Sequence, residues 1–384
     1  MRILSVGGGS GGHVTPVVAV VRRLHEIEPD TELRVWCDRK YAKQMQSMLS
    51  DSAKVSTIVC GKLRRYANLT LAQHLKHHLF KTHLMNIIDM FKFGIGTVQS
   101  FVRLIIWKPD AIFLKGGFVC LPVGLSAHLL RIPLVIHDSD TLPGLTNRIL
   151  ARYATKIGTG SPVENYPNYP KDRTSFVGIP IREEIHKLSD QEKIIAKKKL
   201  RLNPDGRLIL AVGGGGGASN LNRAVAKSVP EIKTDLAEIL LVTGRGKSDE
   251  ITIPEKLKSS FHKTEFMNSD DIALAIGSAE IIISRAGATF VAEFAAVGAP
   301  LIIIPSRYLA GDHQTKNAKV YQKAEAAIVI DEQSLAEDSR LLARTVDQLL
   351  TDKELREKIG RNLSKFSKRD SIDNVVQMIL EARR

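Results

Sequence analysis

Two short runs of apolar, mostly β-branched residues, Ile281–Ser284 and Leu301–Ile304, stand one helix-length apart, and that spacing constrains the fold more than any other feature of the chain. A run without polar alternation reads as a strand buried on both faces, and two such strands joined through a helix lie parallel in one sheet. Between them Arg285, Ala286 and Gly287 turn the chain into a helix over Ala288–Val297, which stops at Gly298 with Pro300 beyond it. Glu293 is the only charge in that helix, and its neighbours four residues away, Thr289 and Val297, are not basic. No cation on the same face therefore pairs with it. Either Glu293 lies at a solvated edge, or its partner comes from elsewhere, a ligand hydroxyl being one candidate.

The same grammar recurs along the sequence. Arg2–Val6 reads as a strand entering Gly7-Gly8-Gly9-Ser10-Gly11-Gly12-His13, then a helix to about Glu26 with Pro16 in its first turn. Leu33–Cys37 and Val55–Val59 are the next strands. Ala111–Leu114 enters a second glycine turn, Lys115-Gly116-Gly117-Phe118, followed by a helix over Val123–Leu130, a strand over Pro133–His137 and a loop from Asp138 to Gly144. Gly160 to Arg173, rich in Pro, Asn, Tyr and Gly, reads as a linker. Alternation then restarts: Leu208–Val212 enters Gly213-Gly214-Gly215-Gly216-Gly217 and a helix over Ala218–Val229, Ile239–Val242 enters Thr243-Gly244-Arg245-Gly246, and helices follow from about Gln333.

These elements describe an α/β chain of two similar halves, each an open parallel sheet with Gly, Asp or His at the carboxyl ends of its strands, and they imply a cleft between those edges. The expected domains are 1–165 and 174–365, with 366–384 a terminal helix. The 384 residues suffice for two cores of ordinary size.

Charge narrows the partners. The net charge of +14 calls for an anion: nucleic acid, an acidic membrane surface or a phosphorylated substrate. Between Gly61 and Lys108 the bases Lys62, Arg64, Arg65, Lys76, Lys81, Lys92, Arg103 and Lys108 face Asp89 alone, so this segment carries half the excess. It is also rich in Leu, Ile, Met, Phe and Val, yet Asp89, Lys92 and Arg103 interrupt the apolar run short of the roughly 20 residues that a spanning helix needs. Such a stretch fits a helix lying on an anionic bilayer; the alternative is a pair of core-packing helices with a solvated basic edge. Without an RNP, KH or zinc-knuckle pattern, nucleic acid is not the expected partner. Cys37, Cys60 and Cys120 share no metal-like spacing and read as reduced thiols, and the start Met1-Arg2-Ile3-Leu4 has no signal-peptide pattern, so a cytosolic location is expected.

Gly7, Gly9 and Gly12 satisfy G-x-G-x-x-G after a strand, and Asp38 closes the second strand where a ribose-binding acid sits, so an NAD-dependent oxidoreductase is one reading. Against it, His13 follows the last glycine directly, and each half carries two glycine turns, which suits two phosphorylated ligands, one per domain. Tight packing of strand against helix explains any single turn as well. Asp138-Ser139-Asp140 has the spacing of a D-x-D metal site but is also ordinary turn chemistry, and no metal is expected.

Taken together, Gly8-Gly9-Ser10-Gly11-Gly12-His13, Lys115-Gly116-Gly117-Phe118, His137-Asp138-Ser139-Asp140 with Pro143-Gly144-Leu145-Thr146-Asn147-Arg148, Gly178-Ile179-Pro180-Ile181-Arg182, Ser284-Arg285-Ala286-Gly287-Ala288, and Asp312-His313-Gln314-Thr315 with Asn317-Ala318 resemble the successive motifs of the MurG family. They occur in the family's order and span most of the chain. The resemblance implies a GT-B fold, two facing Rossmann-like domains with the C-terminal helix crossing back onto the first. It implies inverting transfer of GlcNAc from UDP-GlcNAc to the C4 hydroxyl of MurNAc in undecaprenyl-diphosphate-linked lipid I, forming lipid II without a metal or cofactor. It places the enzyme peripherally on the cytoplasmic face of the cell membrane, with cell-wall synthesis proteins as further partners.

Carried onto this sequence, the resemblance gives Glu293 the ribose diol, the amides of Ala288, Thr289, Phe290, Val291 and Ala292 the diphosphate, Met267 the uracil, and Arg182 and Gln314 further donor contacts. Ser10, Gly11 and Gly12 fall near the transferred sugar; Gly116, Gly117 and Asn147 fall near the acceptor diphosphate. His13 is the leading general base, as a histidine with an unshifted pKa, and Asp138 the second. Three departures stand out. Where the family has His-Glu-Gln-Asn this chain has His137-Asp138-Ser139-Asp140, so Asp140 offers the sugar acceptors only. Gly215 replaces a serine of the second glycine loop, and one lost donor in such a site costs about 2.7 to 4 kcal/mol unless backbone amides or Ser219 substitute. The segment from Thr70 to Trp107 is longer than the family's. Other readings are a GT-B transferase for another lipid-linked acceptor, the NAD-dependent oxidoreductase, and a non-catalytic nucleotide-sugar-binding protein.

Overall fold

The computed structural model describes residues 1–62, 79–233, 237–307 and 312–383. They fall into two compact units, one built on Met1–Ile181 with the C-terminal segment from Lys368, the other on Arg182–Arg307 and Gln314–Ser367.

In the first unit seven parallel strands, β1 (Arg2–Val6), β2 (Glu32–Cys37), β3 (Lys54–Thr57), β4 (Ala111–Leu114), β5 (Leu134–Asp138), β6 (Lys156–Thr159) and β7 (Thr174–Phe176), lie in the order β3-β2-β1-β4-β5-β6-β7. The second repeats that plan with β8 (Arg207–Val212), β9 (Ala237–Val242), β10 (Phe261–Thr264), β11 (Ile281–Ser284), β12 (Leu301–Ile303) and β13 (Ile328–Val329), ordered β10-β9-β8-β11-β12-β13. Strand order reverses beside β1 and β8, and the loops after β1 and β4, and after β8 and β11, lie at those switch points, where folds of this class bind ligands. Every residue of β4 and of β11 is buried, as the unbroken apolar runs require.

The helix Ala288–Val297 forms where its sequence places it and ends on Gly298 at φ 67°, a left-handed conformation that glycine adopts without strain. The helix Gly11–Ile27 starts inside the glycine cluster, so Pro16 falls in its second turn rather than its first. Burial of Val14, Pro16, Val17 and Val18 holds it there. The helix expected from Val123 begins earlier, spanning Cys120–Leu129, and Asp138 is the last residue of β5 rather than the first of a loop. β10 and the helix Ser269–Ser278 go beyond the sequence reading; Phe261 is the lone apolar residue of β10.

The expected linker is a correction of more consequence. Gly160 to Arg173 stays in the first unit: Tyr166 and Tyr169 are buried in its core with rings stacked 5.4 Å apart, and the chain then adds β7 beside β6. The unit boundary therefore falls between Ile181 and Arg182, not between 165 and 174. β7 reads Thr-Ser-Phe and has no apolar run to betray it. The helix Ser371–Ala382 buries Val375, Val376, Met378 and Ile379 in the same core as Val17, Val21 and Val177, and the Ser371 hydroxyl donates to the Ile179 carbonyl at 3.0 Å.

Among its described residues the basic apolar segment forms the helix Leu79–Trp107, of 29 residues. Its polarity is inverted. Asp89 and Ser100 are buried along with Leu104 and Trp107, whereas Met90, Ile95 and Val98 are exposed, as are Phe91 at 73% and Ile106 at 78%. The inner face is clamped by Gly61 and Gly96, where an added Cβ would stand 1.9 Å from the Asp89 and Val59 carbonyl oxygens respectively. The face packed on the core carries Asp89 and Ser100 beside Leu104 and Trp107, and much of the helix's apolar surface is left outside. Arg64, Arg65 and Lys76, with the segment from Thr70 to 78, lie outside the described residues.

Candidate active site

In the first unit the turns after β1 and β4 touch. Gly117 has φ +85°, and a Cβ on it would stand 2.3 Å from the Gly8 carbonyl oxygen and 3.0 Å from His13 Nδ1, so only glycine fits. His13 Nδ1 lies 2.8 Å from the Gly8 oxygen and 3.1 Å from Ser10 Oγ. A carbonyl can only accept, so Nδ1 carries the proton and Nε2, on the Gly116 side, keeps its lone pair. Desolvation, then the charge of Lys115, pushes the imidazole down to about 4, which corrects the expectation of an unshifted histidine. It is neutral at physiological pH.

Beside it, Asp138 is buried and accepts from the Tyr169 hydroxyl at 2.9 Å; desolvation and then the neighbouring Asp140 raise its carboxyl to about 7. Tyr166 donates to the Asp140 carbonyl oxygen at 2.9 Å. Asn147, also buried, donates to the His137 carbonyl at 3.0 Å and leaves its Oδ1 without a partner. Asp38 Oδ1 accepts from the Gly9 amide at 3.0 Å, bracing the glycine loop from within.

In the second unit Glu293 is 3% exposed, so the solvated-edge alternative is excluded. It is also not a lone carboxylate: Arg182 Nη2 and Nε approach its Oε1 at 3.3 and 3.4 Å, and Arg182 Nη1 donates to the Ser269 carbonyl at 2.9 Å. Burial still pushes the Glu293 carboxyl up, against the pull of Arg182. At the head of the same helix, Ala288 and Phe290 hold positions whose amides have no intrahelical acceptor. Val291 donates to the Gly287 carbonyl at 3.0 Å, and Ala292 lies deeper still, so these two are withdrawn from the expected amide donors. Gln314 is buried, and its Oε1 accepts from the Ser306 amide at 3.0 Å. Met267 is half-buried beside Phe266, over whose ring Arg245 sits at 4.7 Å. Gly215 is exposed in a loop bent at Gly214 (φ +91°) and Gly217 (φ +67°), and Lys247 Nζ donates to the Gly216 and Gly217 carbonyls at 2.9 and 3.1 Å.

Comparison with known proteins follows this division. Residues 3–159 match the glycosyltransferase family 28 N-terminal domain and residues 208–375 its C-terminal domain. The UDP-N-acetylglucosamine–N-acetylmuramyl-(pentapeptide) pyrophosphoryl-undecaprenol N-acetylglucosamine transferase of Clostridioides difficile is 30% identical over 99% of this chain and 89% of its own length. The protein of the same name from Borreliella burgdorferi is 31% identical, over 99% and 96%. The chain belongs to the MurG family. Its fold is also that of Acinetobacter baumannii MurG, with TM-score 0.68 at 22% identity over 99% of both chains, and of a Neisseria meningitidis UDP-GlcNAc 2-epimerase bound to UDP-GlcNAc, with TM-score 0.66 at 12% identity over 99% and 100%. These likenesses establish the GT-B class of two Rossmann-like domains with parallel sheets.

Within this MurG-family chain the first unit gathers Ser10, Gly11, Gly12, His13, Gly116, Gly117, Asp138, Asp140 and Asn147 around the β1 and β4 ends. In the second, Arg182 joins Glu293 in the helix after β11, which Ala288, Thr289 and Phe290 open; Gly215 lies in the loop after β8, Met267 follows β10, and Gln314 lies in the helix after β12. Sequence reasoning gave no role to Lys115, Tyr169 or Lys247. Lys115 stood in a quoted motif, and a lysine directly before two glycines at a strand end was the available signal.

Proposed function

We propose that this chain transfers GlcNAc from UDP-GlcNAc to the C4 hydroxyl of MurNAc in undecaprenyl-diphosphate-linked lipid I, forming lipid II with inversion at the anomeric carbon. Substrate identity rests on the whole-chain similarity to transferases of that name; the chemistry rests on the His13 tautomer. With Nδ1 anchored on Gly8, Nε2 takes the proton of the C4 hydroxyl as its oxygen bonds to the anomeric carbon. The bond from that carbon to the diphosphate oxygen breaks, and UDP leaves with the electron pair. Gly116, Gly117 and Asn147 receive the acceptor diphosphate, while Ser10, Gly11, Gly12 and Asp140 border the transferred sugar. In the second unit Glu293 takes the ribose diol, Met267 flanks the uracil, Gln314 and Arg182 secure the donor, and the amides opening the helix Ala288–Val297 oppose the charge of the departing diphosphate. No divalent ion is needed, because helix ends and glycine-loop amides supply the positive potential.

The deciding assay is turnover of UDP-GlcNAc with a soluble lipid I analogue in excess EDTA. A lipid II product at an undiminished rate is expected; no product with or without added magnesium refutes the reading.

The helix Leu79–Trp107 lies on the anionic cytoplasmic face of the membrane. No helix among the described residues is long and apolar enough to cross one. The exposed Phe91 and Ile106, with Lys92 and Lys108, offer apolar contact and attraction together. Burying one such apolar side chain contributes about 1.5–3 kcal/mol. The double variant Phe91→Glu/Ile106→Glu is therefore expected to bind phosphatidylglycerol vesicles more than about tenfold more weakly in cosedimentation. Unchanged partitioning would remove this helix from membrane contact.

A further inference from the structure

Lys115 is the buried charge that the reaction as described leaves without a task. Its side chain is 1% exposed, among the largest fully buried in the protein, yet it carries an ammonium. It stands directly before Gly116 and Gly117, at the end of β4, and Nζ donates to Ser139 Oγ at 2.7 Å. Three elements face it: β5 and the turn beyond, with Asp138, Asp140 and His137; the helix Cys120–Leu129, with Cys120; and the helix Gly11–Ile27, with His13. His13 in turn faces Lys115, Asp140 and Asp38. Burying an ammonium is unfavourable unless neighbouring groups compensate it, so this position is defined by the two carboxyl groups of the 138–140 turn.

We infer that Lys115 is a positioning residue for the transfer reaction: tied to Ser139 between Asp138 and Asp140, its ammonium holds that turn beside the acceptor glycines and sets a positive charge facing the His13 imidazole. This deepens the proposed function and rests on it only for His13 as base. It also accounts for the departure at Asp140. A carboxylate stands where the family has an amide because a buried cation lies behind it, and Ser139 is the hydroxyl through which the two are joined. Desolvation lowers the lysine to about 8, so at neutral pH it is still mostly charged.

The sign of the effect is fixed. A positive neighbour disfavours imidazolium and favours carboxylate, so its removal raises both the His13 and the Asp138 pKa. In Lys115→Met the His13 imidazole, followed by NMR and assigned with His13→Gln, is expected to titrate at higher pH. The acid limb of kcat/KM for the lipid I analogue should move up with it, while KM for UDP-GlcNAc stays unchanged. Ser139→Ala keeps the charge and removes only the tether, so it should lower kcat and leave the His13 titration near its original pH. A loss of rate with no movement of the His13 titration would overturn the electrostatic role, whatever the wild-type turnover. Should Lys115→Met not fold, Lys115→Gln carries the same measurement. An unshifted His13 in the folded neutral variant refutes the inference, whereas absence of lipid II from the wild-type enzyme refutes the proposed function alone.

Discussion

His13→Ala is expected to lower transfer to the lipid I analogue by about 100- to 10,000-fold, the range for removing a positioned general base, while UDP-GlcNAc affinity stays within about twofold. The separation follows from where the groups lie: His13 belongs to the first unit, and the proposed nucleotide contacts belong to the second. The pH profile adds a sharper test, because the two candidate bases titrate far apart. With the imidazole pushed down to about 4, the base is neutral through the physiological range, and activity falls only as the pH drops through that value. If Asp138 were the base, the acid limb would lie near 7, where burial and Asp140 have raised its carboxyl. An imidazole with so low a pKa is a weak proton acceptor in the free enzyme. Binding of an anionic diphosphate at Gly116 and Gly117 supplies the negative charge that raises it, so the acid limb of kcat should lie above that of kcat/KM. Unchanged turnover in His13→Ala, or a limb near 7 that vanishes in Asp138→Asn, would transfer the role to Asp138.

Glu293→Gln carries the second large effect. Arg182 engages Oε1 at 3.3 and 3.4 Å, and the other oxygen remains for a ribose hydroxyl. An amide keeps the shape but supplies one acceptor and one donor. Turned one way, its NH2 meets the guanidinium, donor against donor; turned the other, the diol loses its carboxylate acceptor and can only accept from the NH2. Hydrogen bonds to charged groups contribute about 1.5–3 kcal/mol, so the Kd for UDP should rise by about 10- to 100-fold in a calorimetric titration. Glu293→Ala is the less informative change: it strands Arg182 as a buried cation and is expected to cost about 3–5 kcal/mol of stability. An unaltered UDP affinity in a folded Glu293→Gln protein would remove Glu293 from the ribose site.

Much of the architecture was legible because parallel sheets write themselves locally. The strand Ile281–Ser284, the helix Ala288–Val297 and its stop at Gly298 follow from a doubly buried strand, a helix-length apolar stretch and a residue that accepts positive φ. The motif residues around β1, β4, β8 and β11 were legible for the same reason, since strand ends and glycine turns place them at the switch points. What failed to show was short or borrowed its burial from afar. β7 is three residues without an apolar run, and the tyrosines that tie Gly160 to Arg173 into the first unit bury themselves on partners that are distant in sequence. The long helix Leu79–Trp107 turns its apolar face outward, a choice that composition alone leaves open.

The sequence by itself determined two α/β halves with parallel sheets, the positions of their glycine turns and the set of side chains offered at each. Tertiary structure decided what those side chains are. Glu293 acquires Arg182 from 111 residues away, Asp38 turns inward onto Gly9, Val291 is bound into its helix, and Lys115 enters the interior between Asp138 and Asp140. The reason is physical: strand and turn propensities act over a few residues, whereas hydrogen-bond partners, solvent exclusion and charge act through space. They alone fix the protonation state and the free lone pair of His13.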